Sequence, residues 1–224
     1  MSISIQGSNL VYFPVPKVAC TSLKSFVYEV EFQKPFEPYV TNKKKIHIHN
    51  WREDYRSCSF FDATREGRAE GEFIAVIRDP IKRVLSAYQN RVTFHGELGA
   101  DKVNLDIAKA LGVQPNPLVN DFILHLEKYA LLHPSIKHHI DPMTYFLGHD
   151  LSYFHHVIPI EETNRFKDLV NKACGTSVEM RREQGGGKKV HFSDLSRKAQ
   201  VKLLEYCAGD YALLRDYYSP PKLT

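Results

Sequence analysis

Leu10-Val11-Tyr12-Phe13-Pro14-Val15-Pro16-Lys17-Val18-Ala19-Cys20-Thr21-Ser22-Leu23-Lys24 decides how this chain is read. The apolar run Leu10 to Phe13 predicts a buried strand over residues 10–14. Leu23, Phe26, Val27 and Val30 recur at helical spacing and predict a helix from Thr21 to Glu31. Between the two lies a tight loop carrying a lysine and two hydroxyls. A helix start presents unpaired N–H donors and about half a positive charge. Such a loop is suited to a phosphate or sulfate group.

A second strand, Phe73-Ile74-Ala75-Val76-Ile77, runs into Arg78-Asp79-Pro80. Proline suits the first helical turn, and Asp79 is placed to cap it, so a helix is expected from Pro80 to Asn90. His155 to Ile160 reads as a third strand, with a helix from Glu162 to Ala173 after it. Unalternating apolar strands separated by helices predict an α/β fold, three-layer, with a mainly parallel central sheet flanked by helices. Ligands in such sheets sit at the carboxyl ends of strands, so one ligand could touch both Lys17 and Arg78.

The remaining segments are read more coarsely. Residues 34–45 read as loop, and Ile46–Asn50 as a short strand with His47 and His49 on one face. Residues 91–116 mix loop and short helix, and Phe122 to Leu132 is helical. Residues 181–189, with Gly185-Gly186-Gly187, read as a mobile loop. Ser193 or Asp194 caps a helix to about Cys207, and a last helix ends near Tyr218.

The 224 residues suffice for one domain, expected to span 1–224. Hydrophobic residues at 43% and charged residues at 25% give ordinary globular composition. A net charge of +4 suits an anionic ligand but is no nucleic-acid footprint, so no nucleic-acid partner is expected. No segment has the length and apolarity of a transmembrane span, and no leader pattern opens the chain. Cys20, Cys58, Cys174 and Cys207 have neither CxxC spacing nor small-scaffold density, which points to a reducing, cytoplasmic compartment. The histidines lack HExxH and zinc-finger spacing, so no metal is expected.

The loop has no GxxxxGK[ST] pattern, and Arg78 stands where a magnesium-binding carboxylate would follow the second strand. A kinase reading is therefore weak. Pro16-Lys17-Val18-Ala19-Cys20-Thr21-Ser22 and Arg78-Asp79-Pro80-Ile81-Lys82-Arg83-Val84-Leu85-Ser86-Ala87-Tyr88 instead resemble two motifs of one family. These are the sulfotransferases that use 3′-phosphoadenylyl sulfate (PAPS), especially the carbohydrate-modifying, family 2-like branch. Their motifs are a PK-x-x-x-T/S loop and R-[DEH]-P-x-x-R-x-x-S-x-[YF].

The resemblance implies a P-loop-like sulfotransferase fold and sulfuryl transfer from PAPS to an acceptor hydroxyl on a small molecule or glycan, releasing the 3′,5′-bisphosphate (PAP). Lys17 would contact the bridging oxygen and the 5′-phosphate. Thr21, Ser22 and the backbone of Val18, Ala19 and Cys20 would complete the 5′ grip. Arg78 and Ser86 would bind the 3′-phosphate, while Arg83 would pack or pair with a carboxylate. His47-Ile48-His49 resembles the His-x-His segment of glycosaminoglycan uronosyl 2-O-sulfotransferases and makes His49 the first candidate for the general base. His138 and His139 are the others, although Pro142-Met143 departs from the family's Pro-Gln pair. A late closing loop in such enzymes makes Lys188 and Lys189 candidates for the 3′-phosphate. Animal members usually carry an N-terminal membrane anchor; this chain shows none, which suggests a soluble, bacterial-type member. A nucleotide-dependent kinase and a non-catalytic nucleotide-binding module remain the alternatives.

Overall fold

The computed structural model describes residues 2–65, 70–181 and 189–224. The chain forms two compact units, one of Met1–Arg78 and Met143–Glu183, the other of Asp79–Pro142 and Gln184–Thr224.

In chain order the first unit contains β1 (Ile3–Ser4), β2 (Leu10–Phe13), α1 (Cys20–Phe32), β3 (Tyr39–Thr41), β4 (Lys44–Ile46), α2 (Phe60–Thr64) and β5 (Glu72–Ile77). The chain then enters the second unit through α3 (Pro80–Ala87), α4 (Leu105–Leu111), α5 (Val119–Leu124), α6 (Leu126–Leu132) and α7 (Pro134–Ile140). It returns to the first unit for α8 (Met143–Leu147), β6 (His156–Pro159) and α9 (Thr163–Cys174), and ends in the second with α10 (Arg197–Leu213).

The first unit is built on a four-stranded sheet in the order β1-β2-β5-β6. β2 pairs with β5, and β5 with β6, in parallel. The short β1 is antiparallel to β2. Neighbouring residues of a strand face opposite ways, and Tyr12 and Phe13 demonstrate it. The Tyr12 ring meets Phe166 of α9 edge-on at 5.1 Å, and Phe26 of α1 lies 6.2 Å from that Phe166 ring. The Phe13 ring lies 5.2 Å from Phe154 and 6.4 Å from Phe60 of α2. Helices therefore flank a mainly parallel sheet in which every residue from Phe73 to Ile77 is buried. This is the mixed α/β arrangement that the apolar strands predict.

The second unit has its own core. Ile81, Val84 and Leu85 of α3 bury against Phe122, Leu126, Tyr129 and Ile136, and against Ala199, Leu203 and Cys207 of α10. After Ala87 the helix widens into a π-helix over Tyr88–Phe94, which carries it past the expected end at Asn90.

Several boundaries differ from expectation. The 34–45 stretch is not all loop: β3 and β4 form an antiparallel hairpin with Tyr39 opposite Ile46. The segment Ile46–Asn50 is not a strand. β4 ends at Ile46, and a turn follows in which the Asn50 N–H donates to the His47 carbonyl at 2.9 Å and the Asn50 Oδ1 accepts from the His47 N–H at 2.6 Å. An asparagine side chain competing for backbone N–H groups ends the ladder there. Residues 122–132 form two helices with a break at His125, and α10 is capped by Ser196 rather than Ser193 or Asp194. That helix runs on to Leu213, so no separate last helix reaches Tyr218. Gly185 to Gly187 lie outside the described residues, with most of the 181–189 loop. Among the described residues no helix is long and apolar enough to cross a membrane.

The β3–β4 turn places Asn42 and Lys43 at φ of 47° and 61°. That two-residue turn favours Asn-Gly, because only glycine accepts left-handed backbone without strain. Lys43→Gly is accordingly expected to stabilise the protein by about 0.5–1 kcal/mol in urea denaturation.

Candidate functional site

The loop between β2 and α1 has an unusual backbone. Lys17 and Ala19 both adopt left-handed conformations, with φ of 66° and 59°. Each such non-glycine residue costs of order 1–3 kcal/mol, a strain that concentrates at functional sites. Ala19 is the N-cap of α1 and has no side-chain oxygen with which to cap the first turn. The first turn of α1, which holds Thr21 and Ser22, thus lies at the positive end of the helix dipole without a side-chain cap. Val18 points inward and is fully buried, which anchors the loop to the core.

The second motif meets the first. β5 is the parallel neighbour of β2, so their carboxyl ends lie side by side. Arg78 follows β5, and its Nη1 donates to the Lys17 carbonyl at 2.9 Å. The guanidinium thus braces the strained loop from the next strand. Beyond it the Asp79 carboxylate accepts from the Lys82 N–H at 2.8 Å, with Pro80 in the first turn of α3. Ser86 lies two turns into α3 and is half-buried. Arg83, on the same helix, is fully buried and takes the packing role. It donates to the carbonyls of His139 and Ile140 at 3.3 Å each, and also to that of Asp141. The Tyr206 hydroxyl adds a 3.0 Å bond to the Ile140 carbonyl. A cation on the last carbonyls of α7 matches the negative end of that helix.

His49 sits beside the loop, although its segment is a turn rather than a strand. Its Nε2 lies 3.0 Å from the Thr21 Oγ1, and its Nδ1 lies 3.2 Å from the Lys24 Nζ. The His47 ring stacks on it at 5.1 Å. Thr21 and Lys24 are one helical turn apart, which is why one imidazole spans both. Lys24 lies outside the positions of both motifs, yet it carries a sequence signal. It falls on the face of α1 that buries Leu23, Phe26, Val27 and Val30, and it is 1% exposed. Burial pushes its pKa down, with the charge of Cys20 a smaller opposing influence.

The other candidates are placed elsewhere. His138 and His139 are on α7 in the second unit, and the His139 Nδ1 lies 2.7 Å from the Ser135 carbonyl. A carbonyl only accepts, so that nitrogen carries its hydrogen. Lys189 is exposed, and Lys188 lies outside the described residues.

With the fold and this loop in view, the chain belongs to the Sulfotransferase family, whose model matches residues 5–218. It is a transferase of the sulfotransferase type. No curated protein and no solved structure matches the chain with significance.

Proposed function

We propose that this protein moves a sulfuryl group from PAPS to an acceptor hydroxyl, on a carbohydrate, by in-line displacement. The observation that carries this reading is the 2.9 Å bond from Arg78 to the Lys17 carbonyl, which joins the two motifs beside a helix start without a side-chain cap. The donor fits the chemistry of that loop: a lysine and hydroxyls at a helix start, with no acidic residue within residues 14–24. Lys17, the backbone of Val18, Ala19 and Cys20, and the hydroxyls of Thr21 and Ser22 would hold the 5′-phosphosulfate in a P-loop-like cradle. Arg78 and Ser86 would hold the 3′-phosphate, with Lys188 and Lys189 as further contacts. The family match spans both units, which supports treating residues 1–224 as one sulfotransferase domain.

Bound PAPS supplies a sulfur bonded to a good leaving group. The protein's part is to stabilise charge and to take a proton. Negative charge grows on the bridging oxygen as the sulfur–oxygen bond breaks, and the Lys17 ammonium would act there as that charge develops. The acceptor hydroxyl loses its proton to His49, whose contact with Thr21 keeps it beside the 5′ cradle.

Thermal unfolding with nucleotides tests the reading. PAP at about 100 times its Kd is expected to stabilise by about 2.7 kcal/mol, a midpoint rise of roughly 5–10 °C for a chain of this size. ATP, with or without magnesium, is expected to do much less. A larger response to magnesium-ATP than to PAP would replace this function with phosphoryl transfer. Strong PAP binding without PAPS turnover toward any hydroxyl acceptor would leave a binding module.

A further inference from the structure

Lys24 poses a chemical problem that its surroundings answer. An ammonium carries three donors and no acceptor. At 1% exposure, Lys24 has the His49 Nδ1 at 3.2 Å as its hydrogen-bond partner. A full charge buried with one acceptor leaves two charged N–H groups unsolvated, which is costly. A neutral amine has a lone pair, and an imidazole Nδ1–H is a fitting donor to it. The titratable groups facing this pair are Cys20, one turn earlier on α1, and His47, stacked on His49; Tyr12 of β2 lies behind Cys20.

We infer that Lys24 is a neutral amine that accepts the Nδ1–H of His49 and so fixes the tautomer whose Nε2 holds the lone pair. Lys24 is thus a positioning residue for the base, and the inference rests on the role given to His49 above. At rest the Thr21 hydroxyl donates to that Nε2 across 3.0 Å. In transfer, the acceptor hydroxyl takes the place of the Thr21 hydrogen. Its oxygen forms the new bond to sulfur and its proton goes to Nε2. The electron pair of the broken sulfur–oxygen bond goes to the leaving bisphosphate. The Nδ1 proton stays on the ring, hydrogen-bonded to the lone pair of the Lys24 Nζ, which stabilises the imidazolium. Water takes the Nε2 proton when products leave, which restores the resting tautomer. Burial favours the neutral amine at the start, and the tertiary contact explains why a lysine sits on an otherwise apolar helix face.

Long-range 1H–15N correlation spectra of the full chain with 15N-labelled histidine read the tautomer directly, and His49→Gln assigns the signal. Wild-type His49 is expected to carry its hydrogen on Nδ1 at neutral pH. In Lys24→Met, which offers no acceptor, the hydrogen is expected to move to Nε2 and point at Thr21. Calorimetric PAP affinity of Lys24→Met is expected to stay within about two-fold of wild type. An Nε2–H tautomer in the wild-type protein overturns the inference, as does an unchanged tautomer in Lys24→Met. If Lys24→Met does not fold, the wild-type spectrum decides alone. A ten-fold loss of PAP affinity in the variant would make Lys24 part of the donor grip instead. The tautomer is independent of the nucleotide, so PAP failing to bind the wild-type protein would end the donor reading while leaving the Lys24–His49 pair intact.

Discussion

Lys17→Ala is expected to lower kcat for sulfuryl transfer about 10²–10³-fold while leaving the fold in place. The size follows from removing one preorganised donor at the atom where charge develops. The contact that braces the loop uses the Lys17 carbonyl, not its amine, and an alanine keeps that carbonyl. The strain is also unchanged, since alanine and lysine meet the same cost at φ 66°. The loss therefore reports the ammonium. PAPS turnover to PAP, followed with a hydroxyl acceptor in excess, measures it, and the thermal midpoint controls for folding. Lys17→Arg should recover only part of the rate, because a planar fork does not place charge where a compact ammonium does. Full activity in Lys17→Ala would remove this lysine from the mechanism and with it the assignment of the 5′ cradle.

Arg83→Met is expected to cost about 3 kcal/mol or more, among the largest effects of any single substitution outside the loop. Arg83 is fully buried and donates to three consecutive carbonyls at the end of α7. Methionine fills most of the volume but leaves those carbonyls short of a charged donor, with Tyr206 still reaching one of them. Arg83→Lys should be nearly as damaging, because one ammonium cannot span three acceptors in the geometry of a guanidinium. Urea denaturation gives the magnitude, and hydrogen exchange localises it. Protection should fall first at the α7 end and at the α10 face that carries Leu203 and Cys207. A variant within 0.5 kcal/mol of wild type would mean that this arginine is not a structural clamp.

Much of the layout around the two motifs is legible from local pattern. The apolar runs at Leu10 and Phe73 read as buried strands, and Leu23, Phe26, Val27 and Val30 as one face of a helix, and the structure has them so. Asp79-Pro80 announced the start of α3, and its cap is made as expected. These features depend on neighbours within a few residues, where propensity and periodicity act directly. The segment 46–50 departs from its strand-like pattern: alternation of isoleucine and histidine imitates a strand, while the Asn50 side chain takes a backbone N–H that a ladder would need. The β3–β4 hairpin was hidden because its turn uses Asn42-Lys43, without the glycine that usually signals such a turn.

The amino-acid order alone determined a parallel α/β core, the two basic motifs at its strand ends and the family to which they belong. Only the tertiary structure decided that Arg78 holds the Lys17 carbonyl, that Arg83 closes α7, and that His49 lies between Thr21 and Lys24. Those pairings join residues that are 61, 57, 28 and 25 positions apart. No local periodicity encodes such distances; they exist because burying the apolar faces of the strands and helices brings remote polar groups within hydrogen-bond reach, where each must find a partner.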